Sequence, residues 1–236
     1  MLHVDGLDGR VAVVTGAGRG IGRCIAELLA SQRARVAGLD LTAPEGPGML
    51  GVACDVSDPQ SVDDAFSALE RELGPAEILV LNAGIYIIEP FAETTLETWK
   101  RTLEVNLIGA FLCAQRALPS MHQAGYGRIV AIGSSAGKTG GATSCAAYAA
   151  SKAGVMALAK SIASEYAGYG ITSNALAPAL IDTPMIAETR DMVSRIPVGR
   201  LGTPNDVAAV VAFLCSSHAG YITGEVVDVN GGFLID

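Results

Sequence analysis

A tyrosine and a lysine lie four residues apart in the stretch Tyr148-Ala149-Ala150-Ser151-Lys152. On a helix this spacing places both side chains on one face, one turn apart, so the ammonium group can approach the phenol. A neighbouring cation favours phenolate and lowers the pKa of a tyrosine from its ordinary value of about 10. The pair therefore predicts a general acid or base, although the same spacing also occurs on ordinary amphipathic helices.

A glycine-rich segment follows the apolar run Val11–Val14 and reads Thr15-Gly16-Ala17-Gly18-Arg19-Gly20-Ile21-Gly22. Apolar residues with helical spacing come next, so the pattern predicts a strand, a tight turn and a helix. Glycines let the backbone approach a pyrophosphate, and the helix N-terminus favours its charge. The segment thus predicts a phosphate-binding turn, because the strand and the helix that this motif requires are both present.

Short β-like runs alternate with helical patterns along the chain, which predicts a parallel sheet with helices on both faces. Two amphipathic helices are predicted to begin at Asp58-Pro59 and Thr203-Pro204, and Leu41–Gly48 is predicted to be a loop. The seven predicted strands are Val11–Thr15, Arg35–Asp40, Met49–Asp55, Ile78–Leu81, Arg128–Ile132, Thr172–Ala177 and Glu225–Val229. We expect one doubly wound α/β domain over residues 1–236.

The chain resembles the classical short-chain dehydrogenases/reductases from about Leu7 to its C-terminus. Six motifs in the family's order carry this resemblance. They are Thr15–Gly22 (Thr-Gly-x-x-x-Gly-x-Gly), Asn82-Ala83-Gly84, Asn106, Ser134, Tyr148 with Lys152 (Tyr-x-x-x-Lys), and Pro178 followed by Thr183-Pro184-Met185. The resemblance implies a Rossmann-type fold, a nicotinamide cofactor, and hydride transfer between that cofactor and an alcohol or ketone.

The resemblance also implies a role for each of four residues. Tyr148 exchanges a proton with the substrate oxygen, and Ser134 donates a hydrogen bond to the same oxygen. Lys152 binds the nicotinamide ribose and lowers the pKa of Tyr148, while Asn106 holds a water that connects Lys152 to solvent. Adjacent Ser135 is the alternative serine; we prefer Ser134 because neighbours on a strand point to opposite sides.

Asp40 ends the second predicted strand, about twenty residues after the glycine turn. A carboxylate there accepts the adenine ribose hydroxyls and repels a 2′-phosphate, so it predicts NAD rather than NADP. Arg19 complicates this choice because its guanidinium could contact a 2′-phosphate. Asp55 and Val56 resemble the family's adenine-binding pair; the alternative for Asp55 is a carboxylate at a helix entry. The other cofactor contacts that the resemblance implies are Gly16, Gly20, Ile21, Gly22, Asn82, Ala83, Gly84, Pro178, Ile181 and Thr183.

Three positions depart from the family pattern: Leu81 replaces an asparagine, Ala179 replaces the glycine after Pro178, and Gly133 replaces a common serine. Only Ala179 bears on function, because its Cβ is expected to restrict the backbone that leads to Thr183.

Composition argues against several other classes of function. The net charge of −8, without any basic run, disfavours nucleic-acid and anionic-membrane binding. No apolar stretch is long enough to span a bilayer and no signal segment is visible, so we expect a cytosolic protein.

The three histidines lack metal-ligand spacing, which predicts no metal site. The five cysteines are scattered and should be reduced; Cys145 either lines the substrate pocket or simply packs.

Residues 185–197, including a helical segment from Ile186 to Ile196, are predicted to form a short lid over the substrate. The preferred prediction is that the protein is an NAD-dependent dehydrogenase of secondary alcohols or polyols, which Asp40 favours. The alternative is a 3-oxoacyl-[acyl-carrier-protein] reductase, which Val229–Gly232 and Pro197–Arg200 also resemble. Tyr169 weakens that alternative, because acyl-carrier-type members often have arginine there.

A third possibility is a nucleotide-binding sensor or scaffold without catalysis, which the complete set of catalytic residues disfavours. The resemblance further implies a homotetramer, or at least a dimer. Its contacts would involve the helix after Asn106, which carries Phe111, Leu112 and Leu118, and the helix from Tyr148 to Tyr166.

Overall fold

The computed structural model describes residues 4–141, 144–184 and 193–235. Within these ranges a seven-stranded parallel sheet has the order β3-β2-β1-β4-β5-β6-β7. Its strands are β1 (Val11–Thr15), β2 (Arg35–Asp40), β3 (Met49–Ala53), β4 (Ile78–Leu81), β5 (Gly127–Ile132), β6 (Ile171–Pro178) and β7 (Val226–Val229). The strand order reverses between β1 and β4, which opens a crevice at the carboxyl ends of these strands.

Helices cover both faces of the sheet. They are α1 (Gly20–Ser31), α2 (Pro59–Leu73), α3 (Leu96–Leu103), α4 (Gly109–Ala124), α5 (Ser135–Thr139), α6 (Ala146–Tyr166) and α7 (Pro204–Cys215). A π-helical turn, Glu104–Ile108, joins α3 to α4. Short 3₁₀ turns lie at Ala167–Tyr169 and Ser217–Ala219. Among the described helices, none combines the length and apolarity that a membrane crossing requires.

The core consists of two apolar layers, one on each face of the sheet. Val13 and Leu79 contribute to the layer under α2, α4 and α6, whereas their neighbours Ala12 and Ile78 contribute to the layer under α1 and α7. Alternating side chains of the central strands are therefore buried on both faces, as expected for a parallel sheet between helices. The Rossmann-type fold predicted from the sequence is confirmed.

The two predicted helix starts are confirmed by their capping bonds. The Asp58 carboxylate accepts a hydrogen bond from Gln60 N at 3.0 Å at the start of α2. Thr203 and Asp206 form a reciprocal capping box at the start of α7. Each cap satisfies amide groups that have no partner within the helix.

Several predicted strand bounds were wrong by one or two residues. The third strand ends at Ala53 rather than Asp55, because the Asp55 amide donates to Ser61 Oγ instead of continuing the sheet. The seventh begins after Glu225, whose amide donates to Asn174 Oδ1. The fifth and sixth strands each begin one residue earlier than predicted, and the sixth also includes Pro178. Most of the predicted lid, residues 185–192, lies outside the described residues.

Candidate active site

A cavity of about 190 Å³ opens at the carboxyl ends of β4, β5 and β6. Nine predicted site residues line it: Ile21, Asn82, Gly84, Ser134, Tyr148, Lys152, Pro178, Ile181 and Thr183. The other predicted residues lie outside this lining: Gly16, Arg19, Gly20, Gly22, Asp40, Asp55, Val56, Ala83 and Asn106. The fold thus brings the predicted catalytic tyrosine and lysine of α6 and the serine that follows β5 to one cavity.

Tyr148 lies on the first turn of α6 and hydrogen-bonds Ser134. Burial raises the pKa of Tyr148 to about 12, and the hydrogen bond from Ser134 offsets only part of that rise. Lys152 Nζ lies 5.8 Å from the centre of the Tyr148 ring. The phenol is therefore protonated at neutral pH, which is the form that donates a proton.

Lys152 Nζ donates a hydrogen bond to Ile132 O at 2.7 Å, at the end of β5. Burial lowers the pKa of Lys152 to about 8, because desolvation disfavours the ammonium form. The expectation that Lys152 lowers the pKa of Tyr148 is wrong for this structure. The ammonium group is directed at a backbone carbonyl, and burial dominates the pKa of the phenol.

Replacement of Lys152 by Met should stabilise the protein in the absence of cofactor by about 1–2 kcal/mol at pH 7. An unfolded Lys holds its proton to about pH 10.5, whereas buried Lys152 loses it near pH 8. The charged form therefore costs the folded state about 3 kcal/mol below pH 8. Loss of the bond to Ile132 O offsets about 1 kcal/mol of the gain.

Urea unfolding between pH 7 and 9.5 tests this prediction. The stability of the wild type should rise with pH above 8, and that rise should be missing in Lys152→Met. Exposed Lys160 lies on the same helix, so Lys160→Met is the control and should keep the wild-type pH dependence. An identical pH dependence in Lys152→Met would contradict the prediction.

Asn106 lies in the π-helical turn and is 1% exposed. Its Oδ1 accepts from Ile85 N at 2.8 Å, and its Nδ2 donates to Ile85 O at 3.0 Å and to Ser151 Oγ at 2.9 Å. A Cβ on Gly84 would lie 3.2 Å from Asn106 Oδ1 and 3.4 Å from Lys152 Nζ. Both polar atoms therefore converge on the space beside Gly84, where a side chain would be crowded.

Ser134 is the N-cap residue of α5, and its Oγ accepts a hydrogen bond from Ala136 N at 3.1 Å. Ser135 lies inside α5 and also borders the cavity. The hydrogen bond to Tyr148 comes from Ser134, which favours this serine over its neighbour as predicted.

The glycine-rich turn is held by the polar groups of Thr15 and Asn82. Asn82 Nδ2 donates to Thr15 O at 2.9 Å and to Gly16 O at 3.1 Å, and Thr15 Oγ1 accepts from Asn82 N at 2.9 Å. A Cβ on Gly22 would lie 2.1 Å from Gly16 O, so no other residue fits there. Gly16 and Gly20 have φ of +67° and +58°, which glycine adopts without strain.

Asp40 lies directly beside this turn. Its Oδ2 accepts from Gly18 N at 2.8 Å, and its Oδ1 accepts from Leu41 N at 2.8 Å. A Cβ on Gly18 would lie 2.7 Å from Asp40 Oδ2. The neighbouring Arg19 is exposed. A carboxylate and a guanidinium thus border the same turn from the second strand and the start of α1.

Asp55 and Val56 follow β3 on the same side of the crevice. Asp55 Oδ1 accepts from Ser57 Oγ at 2.6 Å and from Ser57 N at 2.9 Å, and these bonds lower the pKa of Asp55. The alternative role, a cap on the following helix, belongs to Asp58 instead. Val56 packs against α4, where a Cβ on Gly109 would lie 2.8 Å from it.

The loop after β6 carries Pro178, Ile181 and Thr183 along the cavity. A Cβ on Gly20 would lie 3.7 Å from Thr183 Cγ2, so this loop reaches the glycine-rich turn. In this loop the left-handed backbone is at Leu180, at φ +48°, directly after Ala179, and the constraint expected at Ala179 stays a prediction. Any side chain is strained in that conformation, so the unusual backbone geometry lies one residue further on.

Sequence reasoning missed Tyr86 and Phe233, both of which line the cavity. The Tyr86 ring packs edge-on against Tyr148, with ring centres 4.8 Å apart and an interplanar angle of 67°. Tyr86 follows the Asn82-Ala83-Gly84 motif by two residues, a position that could have indicated it. No local signal indicates Phe233, which reaches the site from the C-terminal segment. Cys145 also borders the cavity, although packing was the favoured reading.

Among the described residues, no group of three or more His, Cys, Asp or Glu side chains could hold a metal ion.

Comparison with known proteins places this geometry in context. The family profile described as enoyl-(acyl carrier protein) reductase matches residues 16–234. The chain is 43% identical over 228 residues to the 3-oxoacyl-[acyl-carrier-protein] reductase MabA of Mycobacterium tuberculosis, covering 94% of this chain and 92% of that protein. It is 41% identical over 242 residues to the 3-oxoacyl-[acyl-carrier-protein] reductase FabG of Vibrio cholerae, with coverage of 96% and 98%.

Solved structures give the same fold. The chain superimposes on ligand-free aldohexose dehydrogenase of Thermoplasma acidophilum with a TM-score of 0.93 and 32% identity, covering 98% of this chain and 96% of that one.

Proposed function

Because the chain belongs to the short-chain dehydrogenase/reductase family and is an oxidoreductase acting on CH–OH or ketone groups, we propose that it interconverts 3-oxoacyl and 3-hydroxyacyl thioesters. The observation that carries this proposal is the 43% and 41% identity, over nearly the full chain, to reductases of 3-oxoacyl thioesters. It replaces the polyol dehydrogenase favoured by the sequence alone.

The walls of the cavity support an acyl substrate. Beyond the predicted catalytic residues, the described lining includes Tyr86, Cys145, Leu180 and Phe233, and Lys152 is its one charged residue. A site that recognises a polyol needs hydrogen-bonding groups matched to several hydroxyls. A mostly apolar wall suits an acyl chain better. The likeness to an aldohexose dehydrogenase keeps a sugar substrate as the second candidate.

The proposed mechanism uses the protonated phenol of Tyr148. A bound nicotinamide cofactor supplies the hydride for reduction of the 3-oxo group. Tyr148 donates its proton to the carbonyl oxygen, and Ser134 donates a hydrogen bond that stabilises the charge developing there. Burial raises the pKa of Tyr148 to about 12, so the phenol holds its proton at neutral pH and can donate it to the substrate oxygen. Lys152 would hold the nicotinamide ribose, and Asn106 would hold a water that leads to solvent.

We propose NAD(H) as the cofactor. The glycine-rich turn leaves room for phosphates where Cβ atoms would otherwise project, and the Asp40 carboxylate lies at the turn where a 2′-phosphate would approach. The remaining contacts would come from Asp55 and Val56 for the adenine, and from the loop of Pro178, Ile181 and Thr183 for the nicotinamide. The catabolic direction that NAD often implies is not part of this proposal.

The whole chain would act as one NAD-binding domain with a short lid at residues 185–197. We propose a cytosolic location, a compartment in which the five free cysteines would stay reduced. The proposed partner is a small-molecule thioester, with no nucleic acid and no membrane.

We also propose a homotetramer, or at least a dimer, built on α4 and α6. Phe111 on α4 is 44% exposed, as is Ile108 just before it, which leaves apolar surface to cover. Leu118, expected on the same surface, is instead buried in the core. Sedimentation equilibrium at micromolar concentration should give the mass of a dimer or tetramer, and a monomer would contradict this proposal.

A substrate panel tests the proposed function. Acetoacetyl-coenzyme A, acetoacetyl-[acyl-carrier protein], glucose and a simple ketone are each assayed with NAD(H) and NADP(H). We expect kcat/KM for a thioester with NADH to exceed kcat/KM for glucose with NAD by at least about tenfold. Preference for the sugar would instead support the polyol dehydrogenase. Absence of turnover with any ketone would support the noncatalytic scaffold.

A further inference from the structure

The short helix α5 carries the predicted catalytic serine at its start. It spans only Ser135–Thr139, between the N-cap Ser134 and the left-handed C-cap Gly140. A helix of about one and a half turns does not hold its own conformation, because helix nucleation is costly. The direction of the Ser134 hydroxyl therefore depends on what fixes α5 to the rest of the protein.

One side of α5 lies directly against the backbone of α6. A Cβ on Gly137 would lie 2.7 Å from Ala153 N and 2.9 Å from the carbonyl carbon of Lys152. The two helix backbones therefore touch through a glycine. This contact sets the distance between α5 and α6. Because glycine has no side chain, Gly137 adds no directional side-chain bond to it.

The other side of α5 is tied to the sheet by an ion pair. Lys138 Nζ lies 2.5 Å from Asp228 Oδ2, and the two side chains are only 19% and 24% exposed. Asp228 lies on β7, opposite Ala177 of β6. Asp228 lies on the same face of that strand as Val226, which packs on the apolar layer beneath α2, α4 and α6.

A carboxylate at such a position is costly unless it is paired. Moreover, Asp228 Oδ1 is buried and has no hydrogen-bond partner among the described residues. An apolar pair of similar size would often be as stable, so stability alone gives a weak reason for this ion pair. Its position suggests another reason: Lys138 is four residues after Ser134, one helical turn along α5.

We propose that the Lys138–Asp228 ion pair is a positioning device that fixes α5 against β7 and so directs the Ser134 hydroxyl at Tyr148. The inference rests on the proposed function, in which Ser134 and Tyr148 bind the reacting oxygen. Neither Lys138 nor Asp228 lines the cavity, so both would act on the reaction through the position of α5, which begins at Ser134. Even a misplacement of about 1 Å in such a group can slow a reaction substantially.

The test compares Lys138→Met and Asp228→Asn with a matched ion pair elsewhere. Arg116 and Glu70 link α4 to α2 away from the cavity, with similar exposures of 27% and 25% and a separation of 2.8 Å. We expect kcat to fall by about tenfold or more in Lys138→Met and Asp228→Asn, with KM for NADH unchanged. Arg116→Met should lose stability while keeping the wild-type kcat.

A double-mutant cycle with Ser134→Ala separates positioning from general loss of structure. If Lys138 acts through the serine, then Ser134→Ala/Lys138→Met should be no slower than Ser134→Ala alone. Multiplicative losses in kcat would overturn the proposal, as would a wild-type kcat in Lys138→Met. If Lys138→Met does not fold, the same cycle is carried out with Asp228→Asn.

The outcome is distinguishable from failure of the proposed function. That failure would appear in the wild type, as absence of turnover with thioesters. The same variants would then be compared on a ketone that the wild type does reduce. The double-mutant cycle would still test whether Lys138 acts through Ser134.

Discussion

Tyr148→Phe is expected to lower kcat by about 10²–10⁴-fold while leaving the affinity for NADH nearly unchanged. The substitution removes only the phenolic oxygen, so the ring still packs edge-on against Tyr86 and the helix keeps its place. Proton donation to the substrate oxygen is lost, because phenylalanine has no hydroxyl to take over the proposed role of Tyr148. Steady-state kinetics with a 3-oxoacyl thioester, together with fluorescence titration of NADH, measures both quantities.

Tyr166→Phe is the matched control, because Tyr166 ends the same helix and does not line the cavity. It should retain the wild-type kcat. Turnover within about threefold of the wild type in Tyr148→Phe would be incompatible with the proton-transfer role.

Asp40→Ser is expected to reverse or greatly reduce the preference for NAD over NADP. The carboxylate accepts from Gly18 N and Leu41 N, so it is held at the turn with its charge in place. Serine removes that charge and the charge-assisted hydrogen bonds expected with the ribose hydroxyls. KM for NAD should rise about tenfold for each 1.4 kcal/mol lost. The same change relieves repulsion of a 2′-phosphate, which exposed Arg19 could then receive.

The ratio of kcat/KM for NAD to that for NADP, measured in wild type and variant, checks the prediction. Asp58→Ser is the control, because serine also caps helices and Asp58 serves α2 rather than the glycine turn. Its cofactor ratio should equal that of the wild type. A wild type that already prefers NADP, or an unchanged ratio in Asp40→Ser, would mean that Asp40 does not select the cofactor.

Features that depend on neighbours in the chain could be predicted from the sequence. The strand, turn and helix around Gly16–Gly22 follow from glycine positions and apolar periodicity, and the start of α2 follows from Asp58-Pro59. Asn106 could be named from its motif, whereas the π-helical turn that holds it was not predicted. The strand ends were less predictable, because side chains such as Ser61 and Asn174 take up the terminal amides.

The substrate could not be predicted from the sequence patterns. Asp40 predicts NAD as the cofactor, and a polyol substrate was inferred from that preference. A cofactor preference does not by itself determine the substrate. The relatives favour a thioester instead. Residues that shape the substrate side of the cavity, such as Tyr86 and Phe233, come from loops without a periodic pattern.

The sequence by itself determined the parallel sheet, the glycine-rich turn and the Tyr148–Lys152 pair, because each arises from local spacing. Only the tertiary structure decided that burial raises the pKa of Tyr148 while Lys152 bonds to Ile132 O. It also joined Lys138 to Asp228, which are 90 residues apart in the chain. Such properties depend on how far each group is removed from water and on which distant groups approach it, and a linear pattern contains neither quantity.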